Sequence, residues 1–449
     1  MSSSANRRDF LRIAAGSSVG WWVAGGVRAE ESRSPNERIA MASIGVDGKG
    51  RSDSADAGQH GDMVAICDVD ENRLNKAGES RFPQAKRYTD FRKMLDEMGK
   101  RIDAVTVSTA DHNHAPASLM AMRMGKHCFC QKPLTRTIYE ARLMATVAQE
   151  MKVATQMGNQ GSADSGLRQA AAWLRAGVLG TVKEVHIWTN RPIWPQGVDR
   201  PASAPCPGWL NWDAWLGPAP ERPYGEGYHP FAWRGFWDFG TGALGDMGCH
   251  EVNMVFRGLD LRNPISVSAE TSGHNKDSLP AWSIITYEFA ATPARPGLKM
   301  VWYDGGKKPP AELLEGIDSP QARVRKNKKK QAESPGDGLP QEGKLVIGDK
   351  GRLWGYQQLL DGAQPVPVTY PQSPGHFEEW VNAIRGGAPA LSNFVEYAAP
   401  LTELVLLGNL SAWCGEKIQW DADKMQVTNV TGLERLIKPE YRSGYTLDA

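Results

Sequence analysis

Apolar and polar positions follow two rhythms in the first third of the chain. Arg38–Val46 and Met63–Val69 (MVAICDV) are short, nearly continuous apolar runs, as expected of strands covered on both faces. Asp90–Met98 instead places Phe91, Met94 and Leu95 at helical spacing. A strand over Ala104–Ser108, a helix over Ala115–Met124 closed by Gly125, a strand over His127–Cys130 and a last strand over Val153–Met157 continue the series. Strands that alternate with helices predict an α/β fold with a doubly wound parallel sheet. Ligands then bind at the carboxyl ends of the strands, where Thr109, His114 and Lys132 fall.

The rhythm changes after residue 157. Gly166–Ala176 has the pattern of an amphipathic helix, and Val182–Thr189 that of a strand opening a second α/β region. The stretch from Pro192 to Trp233 is rich in proline and aromatic residues and has no period, and connections of that length usually carry function. The predicted division is a signal over 1–29, a dinucleotide-binding domain over 36–157, and a substrate-binding and oligomerisation domain over 158–449.

Composition narrows the class. The chain has 449 residues and a formal net charge of +1, so the total charge gives no reason to expect a nucleic-acid partner. The basic run Arg323–Lys330 reads as a solvated loop beside Ser334–Gly336. Six cysteines without a CxxC pair are neither a disulfide framework nor a zinc site, and no metal is expected. The 16 tryptophans, several within Trp188–Trp237, serve either core packing or stacking on sugar faces.

The amino terminus reads Asn6-Arg7-Arg8-Asp9-Phe10-Leu11-Arg12, followed by an apolar stretch from Ile13 to Ala24 and by Val27-Arg28-Ala29. This resembles a twin-arginine export signal, too short to span a bilayer of about 30 Å. It implies the twin-arginine export machinery as a partner, a periplasmic or otherwise exported location, and a mature chain that is not membrane-embedded. That route carries folded proteins, which suits one that acquires a dinucleotide before export.

Candidate chemistry begins at Gly45-Val46-Asp47-Gly48-Lys49-Gly50. A glycine-rich turn between a strand and a helix lets backbone amides approach a pyrophosphate, and an acid about 20 residues on, here Asp68, binds ribose hydroxyls. Gly45, Gly48, Gly50 and Asp68 are therefore candidate cofactor ligands. Asp47 replaces the middle glycine of the motif and puts a carboxylate near the expected phosphates. Farther on, Asp246 and His250 are four residues apart, on one face of a helix, and form a candidate acid–base pair.

The run Gly125-Lys126-His127-Cys128-Phe129-Cys130-Gln131-Lys132-Pro133-Leu134 resembles the GKHV-x-x-EKPL signature of the glucose–fructose oxidoreductase/inositol dehydrogenase (Gfo/Idh/MocA) family. Thr109 to His114 resembles that family's TP-x-x-x-H loop, and Asp246 to His250 its D-x-G-x-H motif. Gln131 stands where the family has glutamate; it loses a charge but keeps an acceptor. Further segments, Val301–Gly306, Ile347–Gly351 and Leu401–Asn409, resemble the family's secreted bacterial members. The resemblance implies Lys132, Asp246 and His250 as catalytic residues. It adds Thr109, His114, Gln131 and Lys132 to the cofactor contacts, and an open, mostly antiparallel second sheet used for dimers or tetramers.

The function expected is hydride transfer between a sugar-type secondary alcohol and a tightly bound nicotinamide. His250 takes the hydroxyl proton, Lys132 polarises the oxygen, and Asp246 orients the substrate or His250. Asp68 favours NAD over NADP, whose 2′-phosphate it would repel. Two other readings use the same residues: glycoside cleavage through transient oxidation, and a redox-inert sugar-binding protein.

Overall fold

The computed structural model describes residues 38–317 and 340–447. The export signal and the basic run Arg323–Lys330 lie outside these described residues.

The first half forms a six-stranded sheet in the order β3-β2-β1-β4-β5-β6. Its strands are β1 (Ile39–Ile44), β2 (Gly61–Cys67), β3 (Lys86–Tyr88), β4 (Ala104–Val107), β5 (His127–Cys130) and β6 (Thr155–Met157). The pairs β2–β3, β1–β4, β4–β5 and β5–β6 are parallel. The crossover helices are α1 (Lys49–His60), α2 (Glu71–Ser80), α3 (Phe91–Met98), α4 (His114–Arg123) and α5 (Ile138–Glu150). The strands are mostly shorter than their apolar runs. At β1 the reason is local: the chain turns out of the sheet at Gly45, whose φ is 82°, and Gly45 N donates to Cys67 O at 2.8 Å.

Helix α5, not anticipated from the apolar pattern, starts at a reciprocal cap. Thr137 Oγ1 accepts from Glu140 N at 3.3 Å, and Glu140 accepts from Thr137 N at 3.0 Å. The helices α2 and α3 begin on aspartate caps, Asp70 and Asp90.

The second sheet has nine strands among the described residues, in the order β13-β12-β11-β7-β10-β9-β8-β14-β15. They are β7 (Val182–Trp188), β8 (Ser266–Thr271), β9 (Ser283–Phe289), β10 (Leu298–Tyr303), β11 (Gly343–Gly348), β12 (Gly351–Trp354), β13 (Gln358–Leu360), β14 (Ile418–Asp421) and β15 (Gln426–Val427). Only β7–β10 is a parallel pair; the others are antiparallel. Alternation shows on β9, whose residues are buried and half-buried in turn.

Helices α6 (Ser165–Arg175), α7 (Gly242–Glu251) and α8 (Ala399–Cys414) complete the core. Helix α8 is apolar nearly all round, as a helix buried on all sides must be. It packs on α5, α7 and β8. One continuous apolar cluster runs from Ala42 through Leu404 to Leu447, so both sheets share a core. Arg142 and Glu403, paired at 2.7 Å, tie α5 to α8.

Candidate active site

The glycine turn packs as tightly as its sequence suggests. A Cβ on Gly45 would lie 2.4 Å from Ser108 O, and one on Gly50 would lie 2.2 Å from Gly45 O, so neither position has room for a side chain. Gly48 has φ 58°, and nothing lies within 4 Å of where its Cβ would be. Gly45, Gly48, Asp68 and Thr109 together line a cavity of about 290 Å³ at the carboxyl end of the first sheet. Asp68 accepts from Val46 N at 3.0 Å and from Asp70 N at 3.1 Å. Burial pushes its carboxyl up to about 6.

Asp47 lines the same cavity but is paired. Its carboxylate pairs with Arg51 at 3.3 Å and Arg73 at 3.7 Å. Lys49, two residues from Asp47, pairs instead with Asp53 at 2.6 Å. Asp53 also accepts from Ser108 Oγ at 2.7 Å and from Gln131 Nε2 at 2.8 Å. Gln131 therefore faces a buried carboxylate, and its Oε1 accepts from Lys132 N at 3.3 Å.

Lys132 leaves the end of β5 and reaches across to α7. Its Nζ donates to the carboxylate and to the backbone carbonyl of Asp246, each at 2.7 Å. Arg234 stands 3.4 Å from the same carboxylate and Arg191 3.8 Å. Asp246 is deeply buried, which opposes ionisation, but Lys132 and Arg234 outweigh the burial and hold its carboxyl below the usual range. His250 sits one turn on. Burial, with Lys132 adding to it, pushes its imidazole down to about 3, so it is neutral across ordinary pH.

Asp246 is expected to orient the substrate or His250; among the described residues its carboxylate accepts a hydrogen bond from Lys132 and makes none with His250. His114 was expected to touch the cofactor. It is buried, with Nδ1 2.9 Å from Pro133 O and Nε2 3.2 Å from Thr109 O; burial favours the neutral ring, so only one of the two nitrogens donates. It shapes the site without lining the cavity.

The aperiodic stretch after β7 supplies much of the cavity wall, including Trp215, His229, Phe231, Trp233 and Arg234. It is fastened at one side by Glu71 N to Trp209 O and Asn211 N to Val69 O, both 2.9 Å, and by His229 Nε2 to Asp70 at 2.9 Å. At the other side, His112 Nε2 meets Trp215 O at 2.8 Å and Asn113 Nδ2 donates to the same oxygen at 2.9 Å. Its tryptophans divide accordingly: Trp215 and Trp233 pack in an aromatic core with Tyr228 and Phe239, whereas Trp209 is exposed.

Several of these groups gave no motif signal. Asp111 is buried and accepts from Thr241 N at 3.1 Å and Thr241 Oγ1 at 2.6 Å, which joins the loop after β4 to the start of α7. Arg234, Arg191 and Asp53 were also missed. Only Asp53 left a trace, its i,i+4 spacing from Lys49 on the first turn of a helix.

This arrangement coincides with what the comparisons find. Residues 39–159 match the model of an oxidoreductase family's NAD-binding Rossmann fold, and residues 174–332 match the same family's C-terminal alpha/beta domain. The chain belongs to the Gfo/Idh/MocA oxidoreductase family. Among curated proteins it is similar to inositol 2-dehydrogenase of Salmonella typhimurium, 26% identical over 28% of this chain and 37% of the relative. It is also similar to D-apiose dehydrogenase of Paraburkholderia graminis, 28% identical over 27% of this chain and 31% of the relative. The matched region thus spans about a third of these relatives.

Among solved structures, the WlbA dehydrogenase from Bordetella pertussis, in complex with NADH and UDP-GlcNAcA, aligns with a TM-score of 0.59 at 15% identity, covering 86% of this chain and 100% of that one. The aldose-aldose oxidoreductase from Caulobacter crescentus, complexed with glycerol, aligns at 0.55 and 16% identity, covering 86% and 100%. At such identities these likenesses establish the fold.

Proposed function

We propose that this protein is an NAD-dependent oxidoreductase that oxidises a secondary alcohol of a sugar or sugar derivative. The observation that carries the reading is the Lys132–Asp246 ion pair, with neutral His250 on the same helix, at the carboxyl end of a sheet whose glycine turn opens on a cavity.

The residues present fit a dinucleotide. The open side of Gly48 would take the pyrophosphate against the first turn of α1, and the two oxygens of Asp68 would accept the adenosine ribose hydroxyls. The wall formed by His229, Phe231 and Trp233 encloses the same cavity. The nicotinamide, when bound, supplies the hydride acceptor. A 2′-phosphate beside Asp68 is disfavoured by like charge, so NAD is preferred to NADP.

The chain's own groups handle the proton. An ammonium has three N–H donors; Lys132 commits two to Asp246 and keeps one for the substrate oxygen. That donor stabilises negative charge as it develops on the oxygen. Asp246 fixes the direction of Lys132. Neutral His250 accepts the hydroxyl proton.

Relatives named for inositol, D-apiose and levoglucosan support a polyhydroxy substrate. The reading also includes export through the twin-arginine signal at 1–29, domains over 36–157 and 158–449, and a homo-oligomer built on the second sheet. The test is a panel of sugars and polyols with the purified exported chain, following reduced nicotinamide and identifying product. A ketosugar supports the reading. A free sugar and aglycone without net reduction would replace it with redox-neutral cleavage.

A further inference from the structure

The glutamine at 131 is the point where this chain departs from its family's EKP motif, and in the structure it faces the carboxylate of Asp53. Asp53 is only 1% exposed. It lies on α1, one turn after Lys49. Its Oδ1 accepts from Lys49 Nζ at 2.6 Å, and its Oδ2 accepts from Ser108 Oγ at 2.7 Å and Gln131 Nε2 at 2.8 Å. These partners come from three walls of the site: the start of α1, the end of β4 and the end of β5. From Gln131 the chain of contacts continues through Oε1 to the backbone N–H of Lys132 at 3.3 Å. Gly158 makes room for this arrangement, since a Cβ there would lie 2.2 Å from Gln131 Nε2.

We propose that Asp53 is a positioning residue for the reaction proposed above. It carries the carboxylate that the motif places at 131, anchors Lys49, and orients Lys132 through Gln131. A glutamate at 131 would set two carboxylates face to face in a dry site, so one acid and one amide are required, in either order. The geometry also explains why Lys49 does not pair with Asp47. Asp53 claims it, which leaves Asp47 to Arg51 and Arg73.

The experiment compares wild-type holoprotein with D53N, Q131E and D53N/Q131E. D53N removes the charge and should lower kcat by on the order of tenfold to a hundredfold through misplacement of Lys132, with little change in sugar KM. Q131E, with two facing carboxylates, should lower both kcat and melting temperature. The exchanged pair, D53N/Q131E, should regain most of the wild-type kcat and melting temperature. A double variant no better than the worse single variant overturns the proposal. So does a D53N enzyme with wild-type kcat.

If the wild type oxidises no sugar, the reaction reading fails by itself. The pairing is then decided by melting temperature and NAD affinity of the same four proteins: recovery in the double variant supports it, and additive losses overturn it.

Discussion

Lys132 Nζ holds Asp246 at two points, the carboxylate and the backbone carbonyl, each at 2.7 Å. The lysine is thus clamped in direction as well as paired in charge. Asp246→Ala removes the carboxylate from a group of three cations, Lys132, Arg234 and Arg191. Breaking a largely buried pair in this way costs about 3 kcal/mol. The variant should melt lower and turn over far more slowly, as calorimetry and steady-state kinetics will show.

His250 is the assigned proton acceptor, and its imidazole is neutral well below its ordinary range. His250→Asn keeps the size and removes the base, so kcat should fall by roughly 10²–10⁴-fold with NAD affinity retained. Wild-type turnover in that variant would remove His250 from the mechanism.

Asp68 gives a pH dependence with a defined sign. Burial raises its carboxyl to about 6, against the pull of Arg73 and the N–H groups of Val46 and Asp70. Ribose hydroxyls need the ionised form as acceptor, so NAD affinity should weaken as pH falls through about 6. The folding contribution has the opposite sign: stability from protonated Asp68 is present in acid and lost as pH rises through the same point. Asp68→Ser should flatten the NAD titration and relax discrimination against NADP. An unchanged cofactor preference would take Asp68 away from the ribose.

Asp47 interrupts the glycine motif and lines the cavity, where Arg51 and Arg73 pair with it. Such half-exposed pairs contribute about 0–1 kcal/mol. Asp47→Gly should therefore change NAD affinity by no more than a few-fold in a direct titration. A large gain would mean that the carboxylate faces the phosphates after all.

The site was legible where its chemistry is local in sequence and illegible where it depends on partners far along the chain. Gly45 to Gly50, Lys132, Asp246 and His250 each sit in a short pattern that resembles a known motif, and the fold pairs Lys132 with Asp246. The two departures, Asp47 and Gln131, looked like damage because the groups that compensate them, Arg73 and Asp53, come from other elements, with 78 residues separating Asp53 from Gln131. His114 was misjudged for the same reason: the two carbonyls beside it, Thr109 O and Pro133 O, meet only in the folded chain. Five strands of the parallel sheet followed from apolar runs; the edge strand β3, Lys86–Tyr88, has no such run to read. In the second sheet, periodicity gave only β7, since long connections separate several of its neighbouring strands. The central α8, apolar on every face, carries no amphipathic period to read.

The segment from Trp209 to Phe239 has one more consequence. It is fastened to Val69 and Glu71 by main-chain hydrogen bonds on one side, and on the other by His112 N to Phe239 O and by the side chains of His112 and Asn113 at Trp215 O, and it contributes a wall of the cavity between them. Widening the cavity on that side means releasing one set of fastenings, an event of local unfolding. The residence time of whatever occupies the cavity is then governed by how often this span detaches, and weakening a fastening such as His229–Asp70 should shorten that time while leaving the contacts to the glycine turn intact. His229→Ala, followed by stopped-flow displacement of bound NAD, measures that clock directly.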